Sequence, residues 1–199
     1  MTKENDLRII KTEQAIKNAF LKLIAQENIA DLTVQQILDE ALINRSTFYA
    51  HYHDKYDLQN HIEDELLNGF ATRAEKNIKK IVSKKHFNKE VFRHYLTEML
   101  EYVENNRNLF SIFLNSQQHP TFLAKFALKE DQIWRKSGLI KQLGISEKYT
   151  LAALSGMISG ILTEWAKSQF ADKKEDVVET LLSLLMNISS TVIVTEINS

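Results

Sequence analysis

A single proline, Pro120, and five glycines are the only strong helix breakers in 199 residues. In a helix interior, glycine costs about 1 kcal/mol and proline about 3 kcal/mol relative to alanine. Leu, Ile, Ala, Lys, Glu and Gln are plentiful, so helix is favoured along nearly the whole chain and an all-α fold is expected. The β-branched run from Ser190 to Glu196 has strand propensity, but no partner strand is visible elsewhere. It is therefore expected to finish the last helix.

Apolar residues recurring every three or four positions place the helices. Ile9, Ile16, Phe20 and Leu23 mark a first helix over 8–26. Thr33 with Gln36 forms a capping-box pattern before the stripe Val34, Ile37, Leu38, Ala41, a second helix of about two turns. A tight connection through Leu42 and Ile43 leads to a third helix over 44–51, with Ile43, Phe48 and Tyr52 facing inward. Asp54 with Asp57 opens a longer helix through Leu58, Ile62, Leu66 and Phe70 towards Val82. After a polar break at 83–88, further helices are expected over 89–104, 107–115, 121–136, 147–170 and 173–195, with Pro120 at a start, Gly144 and Ser146 as stop and cap, and Asp172 with Glu175 as a third capping box. The expected domains are a three-helix unit over 1–54 and a helical domain over 55–199.

Two short helices joined by a three- or four-residue turn make a helix-turn-helix, whose second helix enters the DNA major groove while the first crosses the backbone. The outward residues of the third helix are Asn44, Arg45, Ser46, Thr47, Tyr49, Ala50 and His51, which suit base edges and phosphates better than the Glu and Lys of an ordinary solvated helix. Charge gives no support: the net charge is −1, and the first 56 residues carry seven Lys or Arg against eight Asp or Glu. The basic footprint of a nucleic-acid binder is missing, so DNA binding must depend on where individual charges sit.

The run from Leu32 to Leu58, with Thr47-Phe-Tyr-Ala-His-Tyr-His-Asp-Lys55 at its centre, resembles the DNA-binding signature of the tetracycline-repressor (TetR) family. The likeness covers about Arg8 to Leu67, a third of the chain. It implies a homodimeric regulator, expected to act as a repressor on a palindromic operator in double-stranded DNA. It also implies that Gln35, Arg45, Ser46 and Ala50 lie nearest base edges, and that Thr33, Thr47, Tyr49, His51 and Lys55 hold phosphates. The chemistry agrees: Arg45 has two donors for guanine, Gln35 matches adenine, and Ala50 meets a thymine methyl. Lys55 adds positive charge to a helix start whose free N–H groups already favour an anion. As rival roles, Arg45 and His51 are plain surface residues and Tyr49 a half-buried aromatic. One departure stands at Leu42, where the family often has glycine; a positive φ there costs leucine roughly 1 kcal/mol.

For the second domain the resemblance implies dimerisation and often an effector. Leu154, Ile158, Ile161 and Trp165 form one stripe and Leu181, Leu185 and Ile188 another, expected to meet their copies in an intermolecular four-helix bundle. Small residues at Ser155, Gly156, Ser159 and Gly160 permit close helix approach, either to a second copy or within the subunit. Tyr95, Met99, Tyr102, Phe113, Phe126, Trp134 and Met157 are either plain core or the lining of a small apolar effector's cavity. Such an effector, or a protein partner, is expected to release DNA by shifting the fourth helix.

With no cysteine, thiolate chemistry is excluded; with no signal region or apolar span, a cytoplasmic protein off the membrane is expected. No enzyme motif occurs, so neither catalysis nor a cofactor is expected. His53, Asp57 and His61 at i, i+4, i+8 are a weak metal pattern, and no metal is expected. Asn187-Ile-Ser189 fits a glycosylation sequon without a secretion signal to give it meaning. The alternative function is a helical interaction module or co-regulator that binds a protein partner, with weak or no DNA binding.

Overall fold

The structure, a computed structural model, describes residues 3–83, 86–114, 120–138, 140 and 146–197; at 3–6, 77, 79–83, 86–87, 120 and 188–197 only the backbone is described. Two compact units divide at Leu66: Met1–Leu66 and Leu67–Ser199.

The first unit contains α1 (Lys3–Ile24), α2 (Val34–Ala41), α3 (Arg45–Tyr49) and the opening turns of α4 (Lys55–Ile81). The expected capping box is present: Thr33 accepts from the Gln36 backbone N–H, and the Gln36 side chain accepts from that of Thr33. Ile16, Phe20, Leu32, Ile37, Phe48 and Leu58 are almost completely buried, and α2 packs on both α1 and α3. At five residues α3 is too short to persist on helical propensity, and the buried Phe48 ring supplies what propensity does not. The unit extends past the expected end at residue 54, because Leu58, Ile62 and Leu66 of α4 belong to this core. Asp54 starts α4 by accepting from the N–H groups of Tyr56 and Asp57 at 2.8 Å each.

In the second unit, α4 ends at Ile81 and a two-residue antiparallel pair, Val82–Ser83 with His86–Phe87, fills part of the expected break. There follow α5 (Lys89–Asn105), α6 (Arg107–Phe113), α7 (Pro120–Ser137), α8 (Glu147–Lys167) and α9 (Lys174–Ile197). The β-branched end of the chain is helical as far as Ile197. α9 begins at Lys174, and Asp172 before it accepts from the Trp165 indole through its backbone carbonyl and from the Ser168 hydroxyl through Oδ2. Gly144 lies outside the described residues.

α5 packs on α9, and α8 packs on α6 and α7. An aromatic cluster fills the unit, with Phe113 stacked on Phe122 at 5.3 Å, Phe70 edge-on to Phe126 at 5.2 Å and Trp134 edge-on to Phe92 at 6.1 Å. Gly69 is required by this packing, since a Cβ there would stand 2.2 Å from the Tyr102 hydroxyl.

Most of the residues expected in the dimer stripes are covered within one chain. Leu154, Ile158, Trp165, Leu181 and Leu185 are buried within a single chain, and Ile161 is half-buried. Periodicity identifies the face that leaves water without identifying what covers it. The side chain of Ile188 lies outside the described residues. The exposed face of α8 carries Ala152, Ala153, Gly156 and Gly160, and Leu184 of α9 is exposed as well. Among the described residues, no helix is long and apolar enough to cross a membrane.

Candidate nucleic-acid interface

Three residues, Leu42 to Asn44, connect α2 and α3. Leu42 adopts φ 53° and ψ 44°, the left-handed conformation that favours glycine, and its N–H bonds back to Asp39. Its side chain is 91% exposed, so no packing offsets the backbone cost. Asn44 then caps α3: its Oδ1 accepts from the Thr47 N–H at 2.8 Å, the Thr47 hydroxyl at 2.7 Å and the Ser46 hydroxyl at 2.8 Å. One carbonyl oxygen thus starts the helix and orients two of its polar side chains.

Phe48 anchors α3 inward, and Arg45, Ser46, Tyr49 and Ala50 are exposed on the opposite side. Ala50 is the C-cap, one residue beyond the helix. The Tyr49 ring is edge-on to Phe48 at 5.5 Å, which fixes its direction while leaving it 48% exposed. Arg45 donates from Nη2 to Gln35 Oε1 at 3.1 Å, and Gln35 donates from Nε2 to Asp39 Oδ1 at 2.8 Å. Two residues expected to read separate bases are therefore joined to each other.

Several residues expected to hold phosphates have partners in their own chain. Lys55 donates to the Ala30 and Leu32 carbonyls at 2.9 and 2.6 Å, tying the loop before α2 to the start of α4. His51 Nδ1 lies 3.3 Å from a Glu13 carboxylate oxygen, with its ring largely covered. The Thr33 hydroxyl serves the α2 cap and the Thr47 hydroxyl the α3 cap. Lys17 pairs with Glu65, and Lys22 with Glu40 at 2.7 Å. The Tyr52 hydroxyl is pushed up to about 12 by burial and then by the Glu13, Glu65 and Asp57 carboxylates, so it keeps its proton. Asn44, expected as an outward residue of the third helix, is instead its N-cap and an organising group of α3, and the preference of asparagine for that position was the available signal.

The cluster of His53, Asp57 and His61 serves the start of α4. Asp57 accepts from the His53 backbone N–H at 2.9 Å, and His61 Nδ1 lies 3.2 Å from the other Asp57 oxygen.

The second unit encloses a cavity of about 20 Å³, lined by Phe70, Tyr95, Met99, Glu130, Ile158 and Leu181 among others. Of the expected effector residues, Tyr95 and Met99 line it. Tyr102 lies at a separate surface groove beside Arg73, while Phe113, Phe126 and Trp134 are buried in the aromatic cluster and Met157 is half-buried. Glu130 Oε2 is buried with no hydrogen-bond partner among the described residues. Burial, with Asp131 adding to it, pushes this carboxyl well above the usual carboxylate range, which favours its neutral form beside an apolar space.

No family model matches the sequence. A 57-residue segment is 37% identical to an uncharacterized HTH-type transcriptional regulator of Bacillus subtilis, over 28% of this chain and 15% of that protein. A 100-residue segment is 29% identical to an HTH-type transcriptional regulator of Staphylococcus aureus, over 50% of this chain and 52% of that one. These matches span about half or less of the curated relatives' lengths. Among solved structures, a TetR transcriptional regulator from Streptococcus agalactiae superposes with a TM-score of 0.67 at 24% identity, covering 90% of this chain and 96% of that one.

Proposed function

We propose that this chain, which has the fold of the TetR-family transcriptional regulators, is a sequence-specific DNA-binding regulator that places α3 in the major groove. The observation that carries this reading is the construction of α3. Its one buried ring, Phe48, and its cap, Asn44, hold a five-residue helix so that Arg45, Ser46, Tyr49 and Ala50 all face outward. A helix this short has little stability of its own and contributes chiefly the surface it presents. Ser46 and Ala50, one turn apart, sit beside Arg45 as a polar contact and a methyl-sized contact for base edges.

The protein acts as a homodimer, since two copies of α3 about 34 Å apart read a palindrome in successive major grooves. The exposed Ala152, Gly156 and Gly160 of α8 are the face that meets the second copy. The effector site is the apolar core around Glu130, which has to widen to admit a ligand because its cavity of about 20 Å³ has room for little more than one water. Phe70 at its wall belongs to α4, the helix that opens with Lys55, so a bound effector acts on DNA affinity by shifting α4. The protein is read as a repressor that leaves its operator when the effector binds.

Selection of bound duplexes from a random pool, followed by mobility shifts, tests the function. A palindromic consensus is expected, with Arg45→Ala losing about 1–3 kcal/mol at one base pair per half-site. No enrichment, or enrichment without discrimination at any base pair, rejects sequence-specific DNA binding.

A further inference from the structure

We propose that Gln35 and Asp39 are positioning residues for Arg45, and that Gln35 reads no base itself. This proposal depends on the DNA-binding reading above and adds how the specificity of that surface is set.

Gln35 and Asp39 stand one turn apart on α2, and Arg45 is the first residue of α3. The Gln35 amide uses both ends: Nε2 donates to Asp39 Oδ1 at 2.8 Å, and Oε1 accepts from Arg45 Nη2 at 3.1 Å. Bidentate pairing with adenine needs the same two atoms, one as donor and one as acceptor. A glutamine engaged in this way reads adenine only after giving up both partners.

Asp39 determines which way the amide points. With the amide turned over, its NH₂ group would oppose the guanidinium, donor against donor, and its oxygen would oppose the carboxylate. The bond from Gln35 to an ionised acceptor is the stronger kind, so the negative end of the relay fixes the neutral middle, and the middle fixes the cation. Arg45 spends one of its five N–H donors on this contact, leaving enough for the two-bond contact with guanine O6 and N7. A long side chain held in place before docking loses less freedom when it docks.

A carboxylate on a DNA-facing surface otherwise weakens binding, because it repels phosphates. The relay gives Asp39 a role that outweighs this repulsion at one base pair. Two opposite consequences follow from a single substitution, and a purely structural role would produce neither.

The full-length wild type, Gln35→Ala, Asp39→Asn, Arg45→Ala and the double variant Asp39→Asn/Arg45→Ala are titrated against the selected operator, its single-base variants and a random duplex. All substituted side chains are exposed, and circular dichroism checks that each variant is folded. Arg45→Ala is expected to lose about 5- to 150-fold at one base pair, which is about 1–3 kcal/mol at about 1.4 kcal/mol per tenfold. Gln35→Ala and Asp39→Asn are expected to flatten preference at that same base pair, with no further loss there when Asp39→Asn is added to Arg45→Ala. Asp39→Asn is also expected to bind the random duplex more tightly than wild type.

Loss of preference at a different base pair in Gln35→Ala overturns the proposal, because Gln35 then reads a base. An equal gain on operator and random duplex in Asp39→Asn overturns it too, because Asp39 is then only a repelling charge. Wild-type protein that selects no duplex rejects the DNA-binding reading itself, a result distinct from either.

Discussion

Leu42 places an exposed leucine in a left-handed backbone conformation. That conformation costs a non-glycine residue about 1–2 kcal/mol, whereas glycine's extra freedom in the unfolded chain costs about 0.5–1 kcal/mol. Leu42→Gly is therefore expected to stabilise the first unit by about 0.5–1 kcal/mol in denaturant titration; a loss of stability would mean that the leucine packs against something. Glu130 carries a pH signature. Its folded carboxyl keeps a proton that the unfolded chain releases above about pH 4.3. Its contribution to stability is thus fully present below that pH and falls as pH rises towards the folded value. Glu130→Gln, neutral throughout, is expected to gain in melting temperature over wild type between pH 4 and pH 8, and a constant difference would show the folded carboxyl to be ionised. The sequence made Arg45 and Ala50 legible as outward residues, because composition and period suffice there. The bonds of Lys55 to Ala30 and Leu32, and of Arg45 to Gln35, were not legible, since they depend on how the turns bring distant positions together.

At the scale of elements, α2 was readable from its cap and stripe, and α3 from the inward Phe48 and Tyr52. The two-residue hairpin after α4 was not, because strands so short leave no alternation to detect. The stripes on α8 and α9 were readable as apolar faces, yet the cover that Leu154 and Leu181 find inside their own chain is a tertiary fact. Packing between α4 and α5 turns on Gly69 and Tyr102. Alanine normally improves a helix interior by about 0.5–1 kcal/mol, but the added methyl here meets a hydroxyl at 2.2 Å. Gly69→Ala is expected to lower stability by about 1–3 kcal/mol, the usual cost of overpacking, and Tyr102→Phe is expected to recover part of it by removing the nearest atom. A stabilising Gly69→Ala would show that the ring moves aside freely.

For the molecule as a whole, the small-residue face of α8 decides the proposed assembly. Among the described residues, nothing lies within 4 Å of a Cβ added at Gly156, so Gly156→Glu is expected to leave the single chain folded. Sedimentation is expected to show it dissociating at least about tenfold more readily than wild type, as a buried like charge on each copy would require, with helix content unchanged. An unchanged dimer would place the interface elsewhere. The ion pairs and carbonyl contacts of Lys17, Lys22 and Lys55 commit cations of the first unit to their own chain. Under the proposed DNA-binding reading, a surface with these cations committed is expected to displace fewer counterions on docking and to hold arbitrary sequence only briefly. Such a reader is then expected to find its targets by repeated encounters from solution instead of long one-dimensional excursions along the double helix, so that copy number would govern how fast each one fills.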